Sequence, residues 1–316
     1  MKKYMKVLLI AVVGLFITTG CDEASGDNDT VVIGYVINNL NDTFQTFILN
    51  AAEEAAEENG FEIRVENAAE DLLAQQDAVN TLIQNGVDAL IVIPVDTSGM
   101  GPITQAALDA EIPLVYINRN PFAGVEDTMP EGVYFVGSNE ISGGIMQMEL
   151  IGELLGGEGG ITIAMGMLGN EGAVSRTAGV QQVVEESFPN IDILAVESAE
   201  WQRDQALELT ENWISAHAGN LNAIVANNDE MALGAVQAAR NNNREDILII
   251  GLDATPDALA AVAEGHLVAT VFQDAVGQGA GAVDIIASIL AGNAPAESVR
   301  FIDFQLITLD NIDDFR

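Results

Sequence analysis

Short β-branched runs that end in polar loops alternate along most of this chain with amphipathic segments three to five turns long. Alternation of that kind is the mark of βαβ units and a parallel sheet. The pattern predicts strands over 31–37, 61–66, 89–94, 113–118 and 133–137. A second set follows at 161–165, 192–197, 223–227, 246–251 and 268–272, with a last strand near 301–307. Helices fill most gaps. One over 44–59 closes at Gly60, one over 70–85 closes at Gly86, and one around 255–264 opens on Thr255-Pro256 and closes at Gly265. At about 150 residues per domain, 316 residues make room for two. The expected architecture is α/β, with two doubly wound parallel-sheet lobes.

The first 30 residues break the pattern. Residues 1–6 carry all three lysines, residues 7–17 (VLLIAVVGLFI) are an apolar run too short for a mature bilayer span, and Thr18-Thr19-Gly20 precede Cys21, the only cysteine. This resembles a bacterial lipobox, which implies a signal peptide over 1–20 and lipidation at Cys21. Residues 22–30 (DEASGDNDT) then read as a polar tether. The body is expected to work outside the cytoplasm, in the periplasm or at the cell surface, touching the membrane only through its lipid.

Charge narrows the function further. After residue 6 there are eight arginines, no lysine and 48 acidic residues. Such a field repels phosphate backbones and anionic headgroups, which excludes nucleic acid as a partner. Without lysine there is no P-loop and no Schiff base. One Cys and two His leave no Cys/His zinc site. Loss of lysine with arginine kept predicts a high-salt habitat, where screening shortens the reach of self-repulsion to about 3 Å at 1 M.

In doubly wound sheets ligands sit beyond the carboxyl ends of the strands. There the chain places Asp42 and Phe44, Asn118 and Arg119, Arg176, Trp201, Asn228, Asp253 and Gln273. Aromatic rings can cover the C–H faces of a sugar, while Asp, Asn, Gln and Arg take its hydroxyls. The set suits a neutral polyol and holds no obvious nucleophile. Each member also has a plainer reading: Asp42 as a helix cap, Asp253 in a capped turn, Trp201 as a core anchor, Arg176 in a surface ion pair.

The stretches GVDALIVIPVD (86–96), PLVYINRNP (113–121), YFVGSNEISGG (134–144), IVANNDEMALGAV (224–236) and GLDATPDALAAVAEG (251–265) resemble the type 1 periplasmic sugar-binding proteins of the ribose and galactose/glucose group. The likeness runs over residues 30–316. It implies two lobes joined by three crossovers near 137–139, 272–274 and 300–303. The lobes would be 31–137 plus 273–302 and 138–272 plus 303–316. It further implies that Phe44 and Trp201 sandwich a monosaccharide, a hexose or pentose. Asp42, Asn118, Arg119, Arg176, Asn228, Asp253 and Gln273 would then bind its hydroxyls. Asn170 and Gly172 stand where glucose/galactose binders carry His and Asp. The family's calcium loop is reduced to 154–161 (LLGGEGGI), with Asn222 in place of the distant Glu ligand, so neither metal nor cofactor is expected.

The implied function is capture of a monosaccharide by a monomer and delivery to an ABC permease. Two alternatives remain at this stage: a sensor docking on a chemoreceptor or sensor kinase, and a glycoside-acting enzyme. Gly277-Gln278-Gly279-Ala280-Gly281-Ala282 matches a dinucleotide fingerprint, but small residues on one helix face more often permit close packing.

Overall fold

The computed structural model describes residues 30–315, so the signal segment, the Cys21 lipidation site and most of the tether lie outside the described residues. Within them the chain begins with β1 (Val32–Ile37), α1 (Thr43–Asn59), β2 (Glu62–Asn67), α2 (Leu72–Gln84), β3 (Ala89–Val92), α3 (Gly101–Asp109), β4 (Leu114–Ile117) and β5 (Val133–Gly137). It then crosses at 138–139 into a second set. That set holds α4 (Glu140–Leu154), β6 (Glu158–Met165), α5 (Glu171–Ser187), β7 (Asn190–Ser198), α6 (Arg203–His217), β8 (Leu221–Ala226), α7 (Asp229–Asn241), β9 (Leu248–Asp253), α8 (Pro256–Ala263) and β10 (Ala269–Phe272). The chain returns through 273–274 to α9 (Ala275–Leu290) and β11 (Val299–Phe301), and ends across the gap in β12 (Gln305–Ile307).

Two six-stranded sheets result, in the orders β11-β5-β4-β3-β1-β2 and β12-β10-β9-β8-β6-β7. Every pairing is parallel except β12, which runs antiparallel to β10. Burial follows sequence character. The continuous apolar runs of β3, β4 and β5 are buried throughout, whereas the alternating Glu62–Asn67 is an edge strand open on one face. Each sheet has a core on both faces. In the first lobe α1 and α9 cover one side and α2 and α3 the other. In the second, α4 and α5 oppose α6, α7 and α8.

The single last strand expected near 301–307 is two. β11 pairs with β5 of the first sheet, and Ile302 N–H still donates to Gly137 O at 2.8 Å. Phe304, 4% exposed, then plugs against Leu252 and Val271, and β12 joins the second sheet. A strand-like run reads the same whether it serves one sheet or crosses between two.

Glycine at two contacts sets how closely helices approach. A side chain on Gly144 of α4 would run into the backbone carbonyl of Arg176 on α5. One on Gly279 of α9 would strike the Ile48 carbonyl on α1. The glycine-rich run at 277–282 is therefore a packing face. Asp274 caps its helix, its Oδ1 accepting the Gly277 N–H at 2.7 Å, which puts a carboxylate where a pyrophosphate would need to sit.

Candidate ligand-binding cleft

A cavity lies between the lobes at the carboxyl ends of both sheets. All nine residues singled out from the sequence (Asp42, Phe44, Asn118, Arg119, Arg176, Trp201, Asn228, Asp253 and Gln273) line it, together with Gln45, Glu140, Asn170 and Gly172. They lie at or beyond the ends of six strands (β1, β4, β6, β7, β8 and β9) and at two of the crossovers, so no local segment contains the site.

The first lobe supplies an aromatic surface within a polar frame. Asp42 ends the loop after β1 and caps α1: its Oδ1 accepts the N–H groups of Phe44 (3.1 Å) and Gln45 (3.2 Å) while the carboxyl still faces the cavity. Capping and ligand contact are thus compatible in one side chain. Asn118 follows β4 at φ 66°, a left-handed conformation that costs of order 1 kcal/mol and recurs at functional sites. Its Oδ1 accepts from Gln45 Nε2 at 2.9 Å and its Nδ2 donates to Gln278 Oε1 at 3.2 Å. Arg119 Nη1 donates to the carbonyls of Pro94 (2.9 Å) and Val95 (3.3 Å), and lies 3.7 Å from Glu70 Oε2.

The second lobe is organised around Arg176, which is buried rather than held in a surface ion pair. Its Nε donates to Glu140 Oε2, Nη1 to Asn227 O at 2.7 Å and Nη2 to Gln273 Oε1 at 3.3 Å. Its Cζ lies 5.6 Å from the Trp201 ring and 5.9 Å from Phe304, distances suited to cation–π attraction. Trp201 packs on the core beneath and lines the cavity above, so one residue both anchors the core and faces the cavity. Gly166 leaves space for its indole, which any β-carbon there would invade. Trp201 (φ 65°) and Asp253 (φ 133°) both hold left-handed backbone conformations. Asn228 caps α7, its Oδ1 accepting Met231 N–H at 3.0 Å, and Asn170 caps α5 through Gly172 N–H at 2.9 Å.

Three buried polar atoms among these residues lack a hydrogen-bond partner: Gln45 Oε1, Asn170 Nδ2 and Trp201 Nε1. Buried polar groups are almost always paired, so these three leave two donors and one acceptor free to meet a polar group entering the cavity. Burial raises the Asp42 carboxyl above its usual range, with Arg119 opposing. Burial raises Asp253 well above that range, against the pull of Arg176 and helped by Asp229, Asp42 and Glu140. Glu171, at the first turn of α5, is pushed up to about 7 by burial and by Glu140.

A family profile described as "Periplasmic binding protein domain" matches residues 33–294. The chain belongs to that family. As a periplasmic binding protein, it is similar to a candidate rhizopine-binding protein of Rhizobium meliloti, 41% identical over 281 residues, or 88% of this chain and 90% of the relative. A xylitol-binding protein of Mycolicibacterium smegmatis is 33% identical over 307 residues, covering 95% of this chain and 84% of its own length. The crystal structure of an ABC transporter solute binding protein from Bacillus halodurans with bound myo-inositol has the same two-lobed fold. It matches at a TM-score of 0.83 and 38% identity, over 92% of this chain and 99% of that one.

Glu140 and Gln45 went unmarked in the sequence. Glu140 sits at the first position of α4, where an acidic residue is expected simply to favour the helix N-terminus, and Gln45 hides in the first turn of α1. The one available signal was their place just beyond a strand end.

Proposed function

We propose that this periplasmic binding protein captures a monosaccharide or closely related cyclic polyol between its lobes and presents it to an ABC-type importer. It does so as a monomer tethered outside the cytoplasm by a lipid on Cys21, and it catalyses no reaction. The observation that carries this reading is the convergence of both lobes on one cavity. Two aromatic rings, a fixed guanidinium and several amides and carboxyls meet there, with unpaired polar atoms on both sides.

Closure works by population shift: only the closed form brings both walls onto the ligand, so ligand binding favours that form by the contacts the open one lacks. No triad or activated nucleophile lines the cavity, and Arg176 is positioned to hold rather than to react. The acidic, lysine-free body fits a high-salt habitat.

A thermal-shift screen of pentoses, hexoses, myo-inositol and xylitol in concentrated salt tests the reading. One chemical class should raise the melting temperature by several degrees, as saturating a native-state site requires. No stabilisation by any of these compounds would overturn it.

A further inference from the structure

Behind the cleft, three segments of the second lobe meet on one buried carboxyl that does not itself line the cavity. Asp229 is the first residue of α7 and is fully buried. Its Oδ2 accepts the Thr255 N–H at 2.7 Å and the Thr255 hydroxyl at 3.2 Å, both from the turn between β9 and α8. Its Oδ1 accepts the Thr270 hydroxyl of β10 at 2.7 Å. Thr270 Oγ1 in turn accepts the Ala254 N–H at 3.3 Å. Consecutive N–H groups of that turn thus end on one Asp229–Thr270 pair. Gly251 makes room for it, since a β-carbon there would run into Asp229 Oδ1.

The turn needs holding. Asp253 (φ 133°) and Ala254 (φ 59°) are both left-handed and neither is glycine, a backbone that persists only where its surroundings over-determine it. β8 and β9 have also parted here, their ladder ending at Val225 and Ile250, short of the turn. On one face of the sheet Gln147 of α4 takes up freed carbonyls, its Nε2 donating to Ala226 O at 2.7 Å and Gly251 O at 2.8 Å. On the other face Asp229 does the same for N–H groups.

A buried acid at the start of a helix has a plainer reading, as a cap that favours α7. Asn228 already fills that role, its Oδ1 accepting the Met231 N–H at 3.0 Å. The Asp229 oxygens turn instead to the β9–α8 turn and to β10. Burial pushes the carboxyl up to about 6, against its hydrogen bonds from Thr270 and Thr255 and helped by Glu230. At neutral pH it is therefore ionised and accepts through both oxygens.

We infer that Asp229 is a positioning residue of the cleft: it holds residues 253–255 in the left-handed turn that brings the Asp253 side chain to the cavity. The same turn meets the second crossover, where the Gln273 N–H donates to Asp253 O at 3.4 Å. The consequence for binding rests on the capture reading above, whereas the consequence for the turn stands without it.

Crystal structures, urea titration and calorimetry of Asp229→Ala and Asp229→Asn test this, with pentoses, hexoses, myo-inositol and xylitol as probes. In the alanine variant Asp253 should leave its φ of 133° for the extended region. Affinity for whichever probes the parent binds should fall about tenfold or more. Asparagine keeps an oxygen for the Thr255 N–H and offers a donor that the Thr270 hydroxyl can accept. It should keep the turn and stay within about threefold of the parent, which an effect of charge on Asp253 would not allow. Where Asp229→Ala does not fold, Thr270→Val, which removes the hydroxyl between Asp229 and Ala254, carries the same expectation. An unchanged turn in a folded variant, or unchanged affinity for a probe the parent binds, would overturn the assignment and leave Asp229 a stabilising residue only. So would an asparagine variant that binds as weakly as the alanine one over an intact turn. Binding of no probe by the parent would overturn the capture reading, and the φ angles of Asp253 and Ala254 would still decide this one.

Discussion

Glu140 and Arg176 form an ion pair in which both side chains are buried, 3% and 6% exposed, and Glu140 begins immediately after the first crossover between the lobes. The same carboxyl receives Gln273 Nε2 at 3.4 Å from the second crossover. One acid thus fixes the cavity-lining arginine and ties together two of the three chain passages between the lobes. Glu140→Ala leaves a buried guanidinium short of its main partner. The expected loss is about 3–5 kcal/mol of stability, the scale for breaking a buried pair from one side. Glu140→Gln, which keeps an acceptor, should unfold at higher urea than the alanine variant yet bind ligand about tenfold more weakly than the parent. Urea titration and calorimetry read the two effects separately.

Two tryptophans sit in different environments. Trp213 is 2% exposed and its Nε1 donates to Glu197 at 2.8 Å, away from the cleft. Trp201 lines the cavity with an unpartnered Nε1. Ligand should therefore change tryptophan emission through Trp201 alone. Trp201→Phe should abolish the change and reduce affinity by about 1 kcal/mol, the usual worth of an aromatic contact beyond its area. A fluorescence response that persists in the variant would contradict the assignment.

The close approach of α4 to α5 at Gly144 carries its own expectation. Gly144→Ala drives a methyl into the Arg176 carbonyl, so the helix bearing the arginine must move. Destabilisation of about 1–3 kcal/mol and a clear loss of ligand affinity should follow. Gly101→Ala, where an added β-carbon meets nothing within 4 Å, serves as the control and should leave binding intact. Thermal melts with and without ligand check both.

Glu171 makes stability depend on pH. Its carboxyl is raised to about 7 in the folded protein, from 4.5 unperturbed, by burial and by Glu140. The native state therefore holds a proton that the unfolded chain gives up earlier. Its contribution is full below about pH 4.5 and is lost as pH rises through about 7. Relative to Glu171→Gln, the parent should lose on the order of 1–3 kcal/mol across that window, with partial solvation favouring the lower figure. Denaturant titrations of both proteins at several pH values measure the difference. A constant offset would rule out this role.

Strand–helix alternation exposed both sheets, because a strand buried on two faces and a helix buried on one differ plainly in periodicity. The same logic put nine cavity residues beyond strand ends. It could not separate β11 from β12, since Val299 and Ile307 belong to one stretch of interspersed apolar and polar residues whose partners lie in different sheets. Nor could it find Glu140, whose importance comes from Arg176, 36 residues further on. Asp42 and Trp201 show why plain and functional readings did not compete. Each does the structural task its neighbourhood suggests and offers its remaining surface to the cleft.

The final crossover bears on how the molecule is made. β11 and β12 complete one edge each of the two sheets, and both reside in the last eighteen residues. A chain emerging from its amino end leaves β5 and β10 as open edges until residues 299–307 follow, so both sheets gain their last strand late and within a few residues of each other. It also means that trimming the carboxyl end by twenty residues would strip both halves at once, rather than leaving one intact.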